Sequence, residues 1–401
     1  MRFEKAYLPY GVGWSTPFCR WQGSYAHLNA IPFAAEVAAR ALAARGIDPC
    51  VIDALVLGMT VPQKHGFYGG PWLAGLIGAP AATGPVISQA CATGARVLAS
   101  AALEVEAGGR QAVLAVACDR TSNGPHLYYP NPQGPGGKGD PEDWVWDNFG
   151  HDPFAKNGML DTAERLAKEQ GYGREEQEQI TLLRYRQYAD ALAQDGAFLK
   201  RFMLLPLEVK DASGRKVVGT VAGDEGVPTT TAEGLAKLRP VKEGGTVTPG
   251  TQTRPADGNC GCLVTSRGRA KEWGRDRFEV QLLAYAEART ETGTMPRASA
   301  PAARAALADA GVALANVAAI KLHNPFAVGD LHFCRDLGLA PEQVNNFGSS
   351  LVWGHPQGPT GLRLVLELVE ELALRGGGIG LMSGCAAGDS AAAVVVSVRT
   401  A

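Results

Sequence analysis

The sequence predicts an α/β protein made of two related halves, and three observations carry that expectation. One is an internal repeat. Residues 93–118 lie on 360–385 at an offset of 267 (360 − 93, and 385 − 118), and Thr93, Gly94, Arg96, Glu104, Gly109, Leu114 and Cys118 meet identical residues. Seven matches in 26 positions exceed chance several-fold, which makes a duplicated unit the reading to build on. A second is the pattern inside each copy: a small-residue turn, an amphipathic helix, a glycine stop, then a short apolar strand. The third is length: 401 residues exceed one typical domain.

Each element has a local cause. Gly108-Gly109 and Gly376-Gly377-Gly378 close the two helices, where a left-handed residue costs glycine little. Residues 112–117 and 379–382 are apolar on both faces, as central strands buried on both sides should be. Residues 85–89, ahead of the first repeat, read as a short apolar strand. From 120 to about 246 the composition changes: a Pro/Gly-rich loop at 131–139, then Trp144, Trp146, Phe149 and Phe154, a charged helix over 175–194 and a polar connector over 209–231. That segment reads as an excursion from the first half. The division is therefore 1–119 with 247–267, an insertion over 120–246, and a second half over 268–401.

Composition narrows the function. Hydrophobic residues make up 46%, charged residues 19%, and the net charge is −2, so nucleic acid is not an expected partner. Eight cysteines with no paired CxxC spacing form neither a disulfide framework nor a zinc site, and no metal is expected. No apolar stretch reaches the roughly 18 uncharged residues of a membrane span. The first 18 residues lack the cationic start and apolar core of a signal peptide. A cytoplasmic protein with no membrane partner is expected.

Three segments carry reactive side chains among small residues: Gln89-Ala90-Cys91-Ala92-Thr93-Gly94, Trp353-Gly354-His355-Pro356-Gln357-Gly358 and Ser383-Gly384-Cys385-Ala386-Ala387-Gly388. Alone, a cysteine among alanine and glycine is a small buried hydrophobe, the expectation for Cys19, Cys50, Cys118, Cys260, Cys262 and Cys334. Together, two thiols and an imidazole in tight turns suggest acyl transfer through a thioester. The helix N-terminus beside Cys91 adds free N–H groups and a positive dipole end.

These segments, with four others, resemble the thiolase family over nearly the whole chain. Thr16-Pro17-Phe18 with Arg20-Trp21-Gln22-Gly23-Ser24 is similar to the family's opening TPFGRFxGSL, and residues 159–164 resemble its MGxTAE. Residues 234–240 and 245–248 are similar to its LAKLRP and GTVT segments, and the two cysteine segments and Gly-His-Pro follow in family order. The resemblance implies a layered α-β-α-β-α fold with a loop domain inserted in the first half. It implies Cys91 as nucleophile, His355 as the group that takes its proton, and Cys385 as acid/base at the α-carbon. One oxyanion site would use His355 with His323, which stands where the family's NEAF motif has Asn, as in branches with HDCF or HEAF. The other would use the N–H groups of Cys91 and Ala387.

Thr253, Arg254, His126, Met159, Phe326, Trp353 and Gly388 would contact substrate or coenzyme A, which serves as co-substrate with no permanently bound cofactor. Arg254 where the family has Gly, and Trp353 where a smaller aliphatic residue is usual, point away from plain acetoacetyl-CoA chemistry. A 3-oxoacyl-CoA bulkier than acetoacetyl-CoA is expected. The family assembles as homodimers or dimers of dimers, and some His-variant branches pair with a small OB-fold subunit. A decarboxylating condensing enzyme and a noncatalytic acyl-CoA-binding paralogue are the alternatives; a thiol at 385 argues against the first, and the intact Cys91, His355 and Cys385 set against the second.

Overall fold

The computed structural model describes residues 1–275 and 278–400. Its main sheet has eleven strands. In space the path runs Val317–His323, Gly378–Ala386, Ser390–Thr400, Phe278–Arg289, Tyr7–Leu8, Ala256–Thr265, Ala112–Arg120, Ala54–Gly58 and Val86–Ile87. The two-residue strand Tyr7–Leu8 is the seam: Tyr7 pairs with Thr265 on one side and Gln281 on the other. Each half repeats one plan. A parallel pair, Ala54–Gly58 with Ala112–Arg120 or Val317–His323 with Gly378–Ala386, is followed by an antiparallel partner. The 267-residue offset maps Ala112–Arg120 onto 379–387, one residue from the observed Gly378–Ala386.

Side-chain alternation along these strands sorts the layers. Val113, Ala115 and Ala117 face a central core, while Leu114, Val116 and Cys118 face the outer helices Ala30–Ala43 and Gly69–Ile77. In the second half Val394, Val396 and Val398 face the same central core, and Ala391, Ala393 and Val395 face Ser299–Ala310 and Ala327–Leu337. The two repeat helices, Thr93–Glu106 and Gly358–Leu374, fill the centre, giving the α-β-α-β-α order. They cross where both are bare: a Cβ on Gly94 would lie 2.5 Å from the Gly358 carbonyl oxygen, and one on Gly361 would lie 3.2 Å from the Ala95 nitrogen. The offset makes Gly94 and Gly361 equivalents, so duplication produced a self-complementary contact.

Several expectations change. The second repeat helix is not amphipathic in place; every residue from Gly358 to Ala373 is buried. Its charges are matched inside, Arg363 with Asp224 at 2.6 Å and Glu367 at 2.9 Å, and Glu371 with Lys321 at 3.0 Å. A helix between two layers has no solvent face, so its ions must be paired. The connector over 209–231 contains a hairpin, Leu207–Lys210 with Val217–Val221, whose Leu207, Val209 and Val221 are buried. The strand expected over 85–89 shrinks to Val86–Ile87 because Gln89 and Ala90 turn toward the helix. Cys50 is exposed, unlike the other expected core cysteines. Among the described residues, no helix is long and apolar enough to cross a membrane.

Candidate active site

The repeat that builds the fold also gathers the reactive groups. Cys91 lies just before the helix Thr93–Glu106, whose first turn has no side-chain cap. Thr93 clamps the turn: its hydroxyl accepts from the Gln89 N–H at 2.8 Å and donates to the Ala90 carbonyl at 2.7 Å. That holds Ala90 at φ 44°, a left-handed conformation strained for any residue with a Cβ. Gln357 (φ 64°) and Asp389 (φ 57°) also have positive φ and, like Ala90, line the adjoining cavity. Strain of this kind persists only where the surroundings enforce it.

His355 precedes the helix Gly358–Leu374, and its Nδ1 lies 2.6 Å from Thr360 Oγ1 on that helix's first turn. The helix start is tied to the first half by Asp119, whose carboxylate accepts from Gly358 N–H at 2.8 Å and from Thr60 and Val61 N–H. Burial raises the Asp119 carboxyl to about 7 against the pull of those donors. His323 ends the strand Val317–His323 beside Gly384, where a Cβ would come within 2.6 Å of the His323 Cβ. Gly384 thus lets the imidazole stand next to Cys385.

The sulfur of Cys91 and one ring nitrogen each of His323 and His355 lie within 4.8 Å of one another, all buried. The two imidazoles lie with ring centroids 4.2 Å apart, tilted by 36°, and the Nε2 of each is buried without a partner. Among the described residues, this trio is also a group of metal-ligand-type side chains that the fold brings together. Burial lowers His323 to about 3, and burial with the neighbouring His323 takes His355 well below the usual imidazole range. Both rings are therefore neutral near pH 7. Burial pushes the Cys91 thiol up to about 11, while the backbone N–H groups of Ala387 and of Cys91 itself pull it down. The resting pair is a neutral thiol and a neutral imidazole, and Cys91 rests its S–H on Gln357 Oε1 at 3.4 Å. Cys385 is raised further, by burial first and then by the nearby Cys91. It sits among Met295, Phe326 and Val328.

Such an arrangement supports proton transfer between sulfur and imidazole as a bond forms, with two N–H groups already aimed at the sulfur's surroundings. A cavity of about 400 Å³ opens beside it, lined by Trp144, Phe149, Met159, Met295, Gln357 and Gly388, among others. Met159 and Gly388 are thus at the cavity wall. Thr253 and Arg254 are outside the cavity lining and donate to the carbonyls of Ser350 at 2.5 Å and Val352 at 2.8 Å. Phe326 packs against Cys385 in the same small core. Trp353 is not at the wall: it is 1% exposed, edge-on to Phe18 and covered by the Arg363 guanidinium at 4.1 Å. His126 is exposed on the strand His126–Tyr129, 3.8 Å from Asp143 and outside the cavity lining. Of the four clustered aromatics, Trp144 and Phe149 face the cavity, while Trp146 packs at a tilt against Trp21 and Phe154 is exposed.

The family model described as Thiolase, N-terminal domain, matches residues 13–268, and Thiolase, C-terminal domain, matches 277–398. The chain belongs to the thiolase family. This thiolase is 28% identical over 393 residues to a probable acetyl-CoA acetyltransferase of Mycobacterium leprae, covering 96% of this chain and 98% of the relative. Its fold superposes on the Bacillus anthracis acetyl-CoA acetyltransferase with a TM-score of 0.90 at 26% identity, over 99% of both chains. Human mitochondrial 3-ketoacyl-CoA thiolase in complex with CoA gives 0.89 at 26% identity, again over 99% of both. The thiolase is accordingly an acyltransferase of CoA thioesters. No sequence signal marked Gln357, Thr360 or Ser350 as part of its site; Gln357 and Thr360 fall within or beside the Gly-His-Pro turn, and only packing turns them inward.

Proposed function

We propose that this thiolase acts on a 3-oxoacyl-CoA through a Cys91 acyl-enzyme, by thiolysis or the reverse condensation, with coenzyme A as co-substrate. The convergence of Cys91 with the unpartnered Nε2 atoms of His323 and His355 is the observation that carries this reading. His355 Nε2 takes the Cys91 proton as the sulfur attacks the 3-oxo carbon. The N–H groups of Cys91 and Ala387 hold the resulting oxyanion. The C2–C3 bond then breaks, and the expelled thioester enolate keeps its oxygen on His323 and the now protonated His355 while Cys385 delivers a proton to C2. The incoming CoA thiol returns a proton to Cys385 and displaces the acyl group from Cys91, which recovers its proton from His355.

Trp144 and Phe149 on the cavity wall support an acyl group bulkier than acetoacetyl. Met159 and Gly388 contact it, Thr253 and Arg254 hold the backbone at 350–352 ahead of His355, Phe326 packs in the small core that contains Cys385, and His126 and Trp353 are given no substrate contact. The pairing of Ala256–Thr265 with Ala112–Arg120 supports the division at 119, 247 and 267. The outermost strand leaves Val86 exposed near exposed Phe67 and Tyr68, which supports a homodimer or dimer of dimers; sedimentation as a monomer at micromolar concentration excludes it. The test of the reaction is mass spectrometry after incubation with an acyl-CoA: a thioester on Cys91 is expected, absent in Cys91→Ser. Acylation elsewhere, or full turnover by that variant, overturns the reading.

A further inference from the structure

The proposed chemistry asks opposite things of two neighbouring imidazoles. His355 must present a lone pair at Nε2 to receive the Cys91 proton, whereas His323 must present an N–H there to hold an oxyanion. Both rings are neutral, so each has one proton to place, and the hydrogen bond at Nδ1 decides where it goes. The Nδ1 of His323 faces Ser350 Oγ at 2.8 Å.

Ser350 is fully buried and has a single hydroxyl proton with two acceptors in reach. One is His323 Nδ1 and the other is Asn324 Oδ1, at 3.1 Å. The Asn324 amide cannot turn to relieve the competition, because its Nδ2 donates to Asp330. Asp330 is in turn held by the buried Arg184 at 2.8 Å, reaching in from the inserted segment. Asn324 Oδ1 already accepts from the Leu351 N–H at 3.2 Å, and the Asn324 N–H donates to Ser350 Oγ at 3.2 Å. The backbone therefore satisfies both ends of the alternative contact. The remaining hydroxyl proton has its shorter and only otherwise unserved acceptor in the imidazole.

We propose that Ser350 is a positioning residue: its hydroxyl donates to Nδ1 of His323 and so fixes the tautomer whose Nε2–H faces the substrate oxygen. The chain Arg184–Asp330–Asn324 keeps the amide of Asn324 oriented so that Ser350 serves His323. With the proton turned to Asn324, His323 would carry its hydrogen on Nδ1. Both Nε2 atoms would then carry lone pairs in the resting site, and the enolate, once formed, would have a donor only in the protonated His355. The inference deepens the proposed reaction and rests on it for its purpose. The tautomer itself is measurable without turnover.

Long-range nitrogen–proton correlation on protein labelled with [15N]histidine reads the tautomer directly, with His323→Asn assigning the resonances among the seven histidines. The expected result at pH 7.5 is a protonated Nε2 and a bare Nδ1 on His323, with the populations mixed or reversed in Ser350→Ala. A protonated Nδ1 in the unaltered protein overturns the proposal, whatever the enzyme proves to catalyse. The kinetic test compares Ser350→Ala in two backgrounds. With His323 present, kcat falls about tenfold or more while KM for the acyl-CoA changes about twofold or less. With His323→Asn, whose amide has no tautomer, the same change costs about twofold or less. An equal loss in both backgrounds would mean that Ser350 acts through structure alone, and would overturn it.

Discussion

Replacing Gly94 by alanine tests whether the duplicated helix crossing sets both stability and chemistry. The added methyl would sit 2.5 Å from the Gly358 oxygen and 2.7 Å from the Leu362 nitrogen, both backbone atoms that cannot rotate away. Ordinary contact needs about 3.5 Å, so the two helices must part by roughly 0.5–1 Å. Overpacking of this kind costs about 1–3 kcal/mol, offset by the roughly 0.5–1 kcal/mol that alanine gains over glycine within a helix. The net expectation is a loss of about 1–2 kcal/mol. The same displacement moves the first turn that holds Thr360 against His355 and Gly358 against Asp119. A shift of that size at a reacting group lowers kcat by about 10–100-fold. The equivalent change Gly361→Ala is the internal control. Its nearest neighbour is the Ala95 nitrogen at 3.2 Å, a matter of a few tenths of an ångström, so stability should stay within about 0.5 kcal/mol of the parent. Denaturant midpoints and kcat for both variants decide. A Gly94→Ala protein of unchanged stability and rate, or a Gly361→Ala protein that suffers more, refutes the reasoning.

Other outcomes follow from the same geometry. Cys385→Ala should abolish α-proton exchange from an acyl-CoA into deuterated solvent while Cys91 is still slowly acylated; undiminished exchange would move the acid/base role to another group. Because burial lowers both His323 and His355, the single-turnover rate of Cys91 acylation should hold level from about pH 9 down to about pH 5. The neutral acceptor is present at any pH above its own lowered pKa, so an acid limb near 6.5 that persists in Asp119→Asn, which removes the carboxyl that burial raises to about 7, would instead indicate an ordinary imidazole or a resting thiolate–imidazolium pair. Trp144→Ala should lower kcat/KM about tenfold or more for a benzoyl-bearing 3-oxoacyl-CoA and leave acetoacetyl-CoA nearly unaffected. A parent enzyme that clearly prefers acetoacetyl-CoA would end the bulky-substrate proposal.

The sequence by itself determined the duplicated α/β plan, the reactive segments and the family. Those are written locally: a helix, a glycine stop and an apolar strand repeat at a fixed offset, and each reactive side chain sits in its own short turn. Tertiary structure alone decided what those side chains meet. Trp353 neighbours His355 in sequence, yet it points into the core under Arg363, a charge whose partner Asp224 lies 139 residues away. Gln357 meets Cys91 across 266 positions, and Ser350 meets His323 across 27. The second repeat helix carries an amphipathic pattern but is buried all round, because a partner layer and paired charges cover its polar face. Local chemistry limits what a turn or a strand can be; which proton faces which lone pair is set by contacts between segments far apart in sequence, and those exist only once the layers have packed.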